Sequence, residues 1–275
     1  MPRRYRRAAA AVVFALLGAS GAQAQQECGH GGPEGFAQWL AGFRTVALRD
    51  GISEASFDAA LGGMTYDASV GAHDHGVVYL GHDFASFAAS HITAGQLSRG
   101  RAMLDRYAST LKTIEQRFGV PGPVLVAIWG LETSYGGDVG SYPTFSALAT
   151  LAYDCRRSDR FRAELIDALS LVERGVWTNP RALHGAWAGE IGQTQLMPSA
   201  IMTYATTPDG AGTPDVIHNP GDALASTAAF LAGHGWQAGA GWGEGEPNFP
   251  AILHWNASPV YAKTIALFAQ KLAGH

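Results

Sequence analysis

Cysteine is scarce in this chain: Cys28 and Cys155 are the only two among 275 residues. No Cys-x-x-C pair and no His-Glu-x-x-His run occurs, which argues against a thioredoxin-type redox site and a zincin-type metal site. In an oxidising compartment two cysteines can form one disulfide; two free thiols, one of them buried, fit the sequence equally well. Charge is sparse as well. Asp, Glu, Lys and Arg make up 15% of the residues, with 23 acids against 19 bases. Nucleic-acid affinity rests on a surplus of Lys and Arg that is missing here, so no nucleic-acid partner is expected. Apolar runs are short: a spanning helix takes about 20 apolar residues, and none approaches that length, so no transmembrane segment is expected in the mature chain. Alternating strand patterns are weak, no internal repeat is visible, and the fold class reads as mainly α with at most a small β-hairpin.

The first 24 residues carry a different pattern. Arg3, Arg4, Arg6 and Arg7 precede an apolar stretch, 8–17, and Ala22-Gln23-Ala24 offers a small-residue cleavage site before Gln25. This order is that of a cleavable export signal. Its removal takes away four arginines and no acid, so the net charge falls from −4 to −8. Residues 25–275 remain, enough for a sizeable core and read here as one domain. Gln25-Gln26-Glu27 before Cys28 is unlike a lipobox, so no lipid anchor on that cysteine is expected.

The rest of the chain is helical in pattern. Phe36, Trp39, Leu40, Phe43, Val46 and Ala47 recur in steps of three and four, as on one face of an amphipathic helix. Thr93 with Gln96 is a capping-box signature leading to the stripe Leu104, Tyr107, Leu111, Ile114 and Phe118, which Gly119 and Pro121 stop. Pro123 suits the first turn of the next helix. Ser158 and Asp222 are candidate N-caps, and Ser258-Pro259 opens a last helix bearing Tyr261, Ile265, Phe268 and Leu272. Between these lie Gly- and Pro-rich loops at 136–143, 177–192, 206–220 and 235–250; long loops in a compact domain are often functional.

The candidate chemistry begins at Glu132, in Ala127-Ile128-Trp129-Gly130-Leu131-Glu132-Thr133-Ser134-Tyr135-Gly136-Gly137. One carboxylate ends an apolar stretch and a glycine-bearing turn comes next. Partial desolvation there would raise its pKa and suit a general acid near neutral pH; a helix-end glutamate with its head in water is the plain alternative. Three other stretches belong with it: Ala152-Tyr153-Asp154-Cys155-Arg156-Arg157; Gly185-Ala186-Trp187-Ala188-Gly189-Glu190-Ile191-Gly192-Gln193-Thr194-Gln195-Leu196-Met197-Pro198-Ser199; and Trp255-Asn256-Ala257-Ser258.

Together these segments resemble the lytic murein transglycosylase B family, peptidoglycan-cleaving enzymes with a lysozyme-like domain. The Gly-x-Glu-Thr and Gly-Gln-x-Gln-x-x-Pro-Ser segments are specific as a pair. The resemblance implies a periplasmic enzyme acting on peptidoglycan glycan strands without a cofactor. Glu132 matches the single catalytic glutamate, which would protonate the bond between N-acetylmuramic acid and N-acetylglucosamine and then act as base on the muramic C6 hydroxyl, leaving a 1,6-anhydro end. Gln195 and Gln193 match a segment lining the cleft, and amides suit N-acetyl and hydroxyl groups; for Gln193 a solvent-facing amide is the alternative. Arg156 and Arg157 match a basic pair facing substrate carboxylates, or flank a helix on the surface. Trp255 and Asn256 match an aromatic–Asn pair near the catalytic centre. Tyr153 and Tyr135 are sugar contacts or plain core aromatics. Glu190, the nearest rival carboxylate, reads as loop-structural. Residues 206–215 stand where the family often carries an Asp-rich loop, but keep only Asp209 and Asp215, so no tight calcium site is expected. His73-Asp74-His75 reads as a surface loop and not a metal site. A hydrolase on the same fold and a non-catalytic cell-wall-binding protein are the rival readings.

Overall fold

The computed structural model describes residues 28–29, 32–76 and 83–274; the proposed export signal, 1–24, lies outside them. The described chain is helical almost throughout. Helices α1 (Phe36–Arg49), α2 (Glu54–Leu61), α3 (Ala68–Gly76), α4 (Phe84–His91), α5 (Ala94–Arg106) and α6 (Ala108–Phe118) lead to α7 (Gly122–Thr133). Then come α8 (Thr144–Tyr153), α9 (Ser158–Glu173), α10 (Pro198–Tyr204), α11 (Pro220–Gly233), α12 (Phe249–Trp255) and α13 (Pro259–Ala273). Strands β1 (Tyr142–Pro143) and β2 (His184–Gly185) form one antiparallel pair, with Tyr142 opposite Gly185. This pair joins two distant loops and is not a hairpin. Among the described residues no helix is long and apolar enough to cross a membrane.

Local chemistry explains most boundaries. Thr93 and Ser258 accept hydrogen bonds from the amides of Gln96 and Tyr261, as their N-cap positions require. Three expectations need correction. Ser158 is the first residue of α9 and Arg157, without a side-chain cap bond, holds its N-cap position. The stripe from Leu104 to Phe118 belongs to two helices, since α5 ends at Arg106 and Tyr107 turns the chain into α6. Asn219, not Asp222, caps α11; the buried Asp222 instead accepts from the Asp215 amide at 2.9 Å.

The side chains pack into two apolar clusters. One gathers α1, α2, α3, α8 and α9 around Phe43, Phe145, Phe161 and Leu165. The other wraps α7 with α6, α11, α12 and α13 through Leu125, Ile128, Leu224 and Phe268. Helix α7 is buried on every side, from Val124 to Gly130 without interruption, as an all-apolar helix must be. Gly130 leaves room for the Tyr135 ring, which a Cβ would meet at 2.8 Å. Trp255 packs against both clusters.

The cysteine alternative resolves as a disulfide between Cys28 and Cys155, closing a separation of 127 residues. Gly29 reinforces it by donating to the Tyr153 carbonyl and accepting from the Cys155 amide, both at 2.9 Å. In the chain-entropy picture a loop of this length is worth about 5 kcal/mol. The double variant Cys28→Ser/Cys155→Ser is therefore expected to melt roughly 10–20 °C below the parent. Calorimetry checks this, and an unchanged Tm would mean that the bridge adds no stability.

Candidate active site

Glu132 occupies the last turn of α7, one residue before the helix ends, and it faces a cleft of about 1010 Å³. The chain leaves the helix through three consecutive residues at positive φ: Ser134 at 50°, Tyr135 at 64° and Gly136 at 80°. Such angles are costly for the two non-glycine residues, and specific bonds hold them. Gln96 Nε2 donates to Ser134 Oγ at 3.1 Å, and the Tyr135 hydroxyl donates to the Gln96 carbonyl at 2.8 Å. Thr133 Oγ1 accepts from the Gly136 amide at 2.9 Å and donates to the Gln193 carbonyl at 2.6 Å. The turn is thus locked to both α5 and the 185–199 loop.

The carboxyl of Glu132 is held from the opposite wall. Trp255, last residue of α12, donates from Nε1 to Oε1 at 2.9 Å. The Tyr261 hydroxyl, from the first turn of α13, is hydrogen-bonded to the same carboxyl. Burial strips water from this group and raises its pKa to about 7; the Trp255 and Tyr261 bonds pull the other way, and the charge of Glu190 adds to the rise. Glu132 is therefore substantially protonated near neutral pH while Trp255 and Tyr261 hold its carboxyl.

The other predicted site residues separate into two groups. Gln195, Arg157, Trp255 and Asn256 line the cleft with Glu132. Gln195 sits at φ 57° and uses its Nε2 to grip the carbonyls of Gly192 and Val139, at 2.9 and 3.1 Å. Asn256 accepts from the Ser258 amide through Oδ1 at 3.0 Å, which leaves its NH₂ as the free end.

Arg156, Gln193, Tyr135 and Tyr153 do not line the cleft. Gln193 is pinned at both ends of its amide: Oε1 accepts from Trp129 Nε1 at 3.1 Å and Nε2 donates to the Ile217 carbonyl at 3.1 Å. It docks the loop onto α7. Tyr135 is spent on the turn. Tyr153 is buried among Phe36, Trp39 and Tyr66 and donates to the Glu34 carbonyl. Arg156 makes a bidentate pair with Asp74, through Nε and Nη2, both at 2.7 Å. Arg157 shares that carboxylate while its guanidinium lies over Trp187, 5.8 Å from the ring centroid, at the cleft wall.

Asp74 is thus no surface-loop residue. It is buried on α3; burial opposes its charge, but the two guanidiniums outweigh that and hold its pKa below the ordinary value. Asp74, His75 and Asp154 place ligand-type atoms within 4.8 Å of one another, yet the arginines already supply the positive charge and the His75 ring is engaged by Asp154 at 2.7 Å. In the 206–215 loop, Asp209 accepts from the Thr207 hydroxyl and the Ala211 amide. Asp215 is taken up by the amides of Ile217 and His218 and by the His218 ring. Donors point at both carboxylates, an arrangement that does not fit the oxygen cage of a calcium ion.

A desolvated glutamate in a sugar-sized, amide- and tryptophan-lined cleft invites comparison with known glycan-cleaving proteins. The transglycosylase SLT domain matches residues 35–245. The chain belongs to this family. The membrane-bound lytic murein transglycosylase B of Escherichia coli K12 is 34% identical over 149 residues, 54% of this chain and 41% of that protein. The matched part thus spans less than half of that relative. Among solved structures, SltB3 from Pseudomonas aeruginosa, in complex with NAG-anhNAM-pentapeptide, has a TM-score of 0.81 at 30% identity, covering 87% of this chain and 80% of its own. The soluble lytic transglycosylase SltB1 from the same organism has a TM-score of 0.79 at 26% identity, over 86% of this chain and 98% of its own. The fold is the lysozyme-like one that the motifs implied.

The sequence reading gave no site role to Tyr261, which bonds the Glu132 carboxyl, or to Glu190, which it took as loop-structural. Tyr261 looked like one more apolar position in the last helical stripe; its place three residues after the Ser258 N-cap was the available signal. Glu190 lines the cleft instead of only shaping its loop. Its signal was its neighbourhood, since it stands between residues that form the wall.

Glu132 binds its proton more tightly when folded than when unfolded. Stability then falls as pH rises from 4.5 towards 7 and levels above that. Glu132→Gln has no such loss, so its stability relative to the parent should improve by about 3 kcal/mol between pH ~4 and pH ~8. Denaturant titrations at the two pH values measure this; a pH-independent difference would show that the carboxyl titrates normally. Gln193→Leu should destabilise by about 2 kcal/mol by leaving the Trp129 N–H unpaired, a loss readable by chemical denaturation.

Proposed function

We propose that this chain is an exported peptidoglycan lytic transglycosylase of the periplasm, released from its export signal at residues 1–24, with 25–275 acting as one catalytic domain. The single observation that carries this reading is the Glu132 carboxyl, desolvated to a pKa of about 7 and held by Trp255 and Tyr261 in an open cleft. A group that is part acid and part base near neutral pH can serve in both directions of proton transfer. As the acid it protonates the oxygen between N-acetylmuramic acid and N-acetylglucosamine, and the muramic C1–O bond breaks. As the carboxylate it then takes the proton of the muramic C6 hydroxyl, whose oxygen closes on C1 as a 1,6-anhydro ring. The nucleophile is already part of the substrate, so proximity replaces a bound water.

Around this step Gln195 and Asn256 offer amide groups to the N-acetyl and hydroxyl groups of the sugars, and Trp255 offers a ring. Arg157, which shares the Asp74 carboxylate with Arg156, would meet the lactyl or peptide carboxylates of the strand. The similarity to SltB3, crystallised with NAG-anhNAM-pentapeptide, supports both the substrate and the anhydro product. The Cys28–Cys155 disulfide supports an oxidising compartment.

Digestion of purified peptidoglycan followed by mass spectrometry of the released muropeptides tests this reading. The parent should release fragments with anhydromuramic ends, and Glu132→Gln should lower that release at least ~10²-fold, as loss of a general acid–base does. Sacculus binding without any fragment release would favour a non-catalytic wall-binding protein instead.

A further inference from the structure

Tyr135 and Gln193 resemble substrate contacts in the sequence and miss the cleft, but both line a second cavity. It holds about 370 Å³, a size within the range of small-molecule sites. It shares no lining residue with the cleft, yet the same two chain segments serve both: Ser134 and Gln193 line the cavity, and Glu132 and Gln195, each two residues away, line the cleft. Three aromatic rings run through the cavity wall. Tyr107 meets Trp129 edge-on with centroids 5.6 Å apart, and Trp129 meets Tyr135 edge-on at 5.7 Å. A guanidinium lies over each outer ring: Arg106 is 5.5 Å from the Tyr107 centroid, and Arg99 is 5.8 Å from the Tyr135 centroid. Both arginines line the cavity and both are exposed. They stand seven residues apart on α5, on one face and about 10 Å apart along the axis.

These arginines differ from others in the molecule. Arg44, Arg156 and Arg157 each face an acid. Among the described residues Arg99 and Arg106 are in no ion pair, and no Asp or Glu lines their cavity. A guanidinium stacked on a ring keeps its N–H edge free for a two-pronged bond to a carboxylate, and the rings suit an aliphatic body between two such groups. The cavity suits a glycan poorly. Its one amide side chain, Gln193, is engaged at both ends, which leaves nothing of that kind for N-acetyl groups. We propose that this cavity is a second binding site, for a short acidic peptide, and that its ligand is a peptide stem of peptidoglycan held by its carboxylates at Arg99 and Arg106. The choice of the stem rests on the reading of the chain as a peptidoglycan enzyme. Such a site gives the domain a hold on the wall that leaves the cleft open to a glycan strand.

The free stem tripeptide L-Ala-γ-D-Glu-meso-diaminopimelate is the probe, and the Trp129 indole N–H and Gly136 amide resonances are the readout. Titration of the parent should shift both resonances saturably. Arg99→Gln/Arg106→Gln should weaken that binding at least ~10-fold, as loss of charge-assisted hydrogen bonds does. Arg157→Gln, in the cleft, should leave it unchanged. The tripeptide with its carboxyls amidated should also bind at least ~10-fold more weakly. No saturable shift at these two resonances, or an unchanged affinity in the double variant, overturns the site. An all-L Asp-Glu-Asp tripeptide that binds as tightly as the stem overturns the assignment to peptidoglycan. Should the double variant lose its folded spectrum, the amidated peptide decides, and equal affinity for it overturns the proposal. The titration involves no cleavage, so saturable binding by a parent that releases no muropeptide supports this site and overturns only the catalytic reading of Glu132.

Discussion

The site depends on a helix that has no polar face. From Val124 to Gly130 every residue of α7 is buried, so this helix can exist only if other elements surround it. Helices α5, α6, α11 and α13 do so, and the last residue of α12 and the first turn of α13 reach the carboxyl at its end. Glu132 is the first acidic residue that the helix carries, and it stands where the wrapping stops and the cleft begins. Its raised pKa results from that position: the same burial that stabilises α7 removes water from the carboxyl at its end. Trp255 and Tyr261 return part of the lost solvation as two directed hydrogen bonds, which also fix the carboxyl orientation.

The strained turn after Glu132 is a second consequence. A helix ending at a cleft must turn away quickly, and Ser134, Tyr135 and Gly136 do so at positive φ. The bonds from Gln96, Thr133 and Gln193 hold this conformation, so residues that resemble sugar contacts in the sequence are structural supports in the fold. Gln193 is the clearest case. Its amide ends and its backbone link α7, the 185–199 loop and the 216–217 segment, and the segment it anchors carries Gln195 and Glu190 into the cleft.

Much of this was legible in the sequence. The caps at Thr93 and Ser258, the apolar run into Glu132 and the motif pair around Gln195 are local features, and local chemistry determines them. The sequence was less legible where a side chain's partner is remote. Arg156 resembles a substrate ligand until Asp74, 82 residues away, takes its fork. Tyr153 resembles a cleft aromatic until the N-terminal segment covers it. Tyr261 was hidden by the opposite ambiguity, because a tyrosine on an apolar helical stripe looks like core. Glu190 lies in a glycine-rich loop, where sequence spacing does not determine which way a side chain faces.

The central claim is that Glu132 holds its proton near neutral pH because the fold desolvates it. Its side-chain carboxyl ¹³C resonance, assigned by its absence in Glu132→Gln and followed through a pH titration, tests this most directly. A midpoint at about 7 is expected. A midpoint near the ordinary glutamate value of 4.5 would contradict a desolvated acid and remove the physical basis for its dual role.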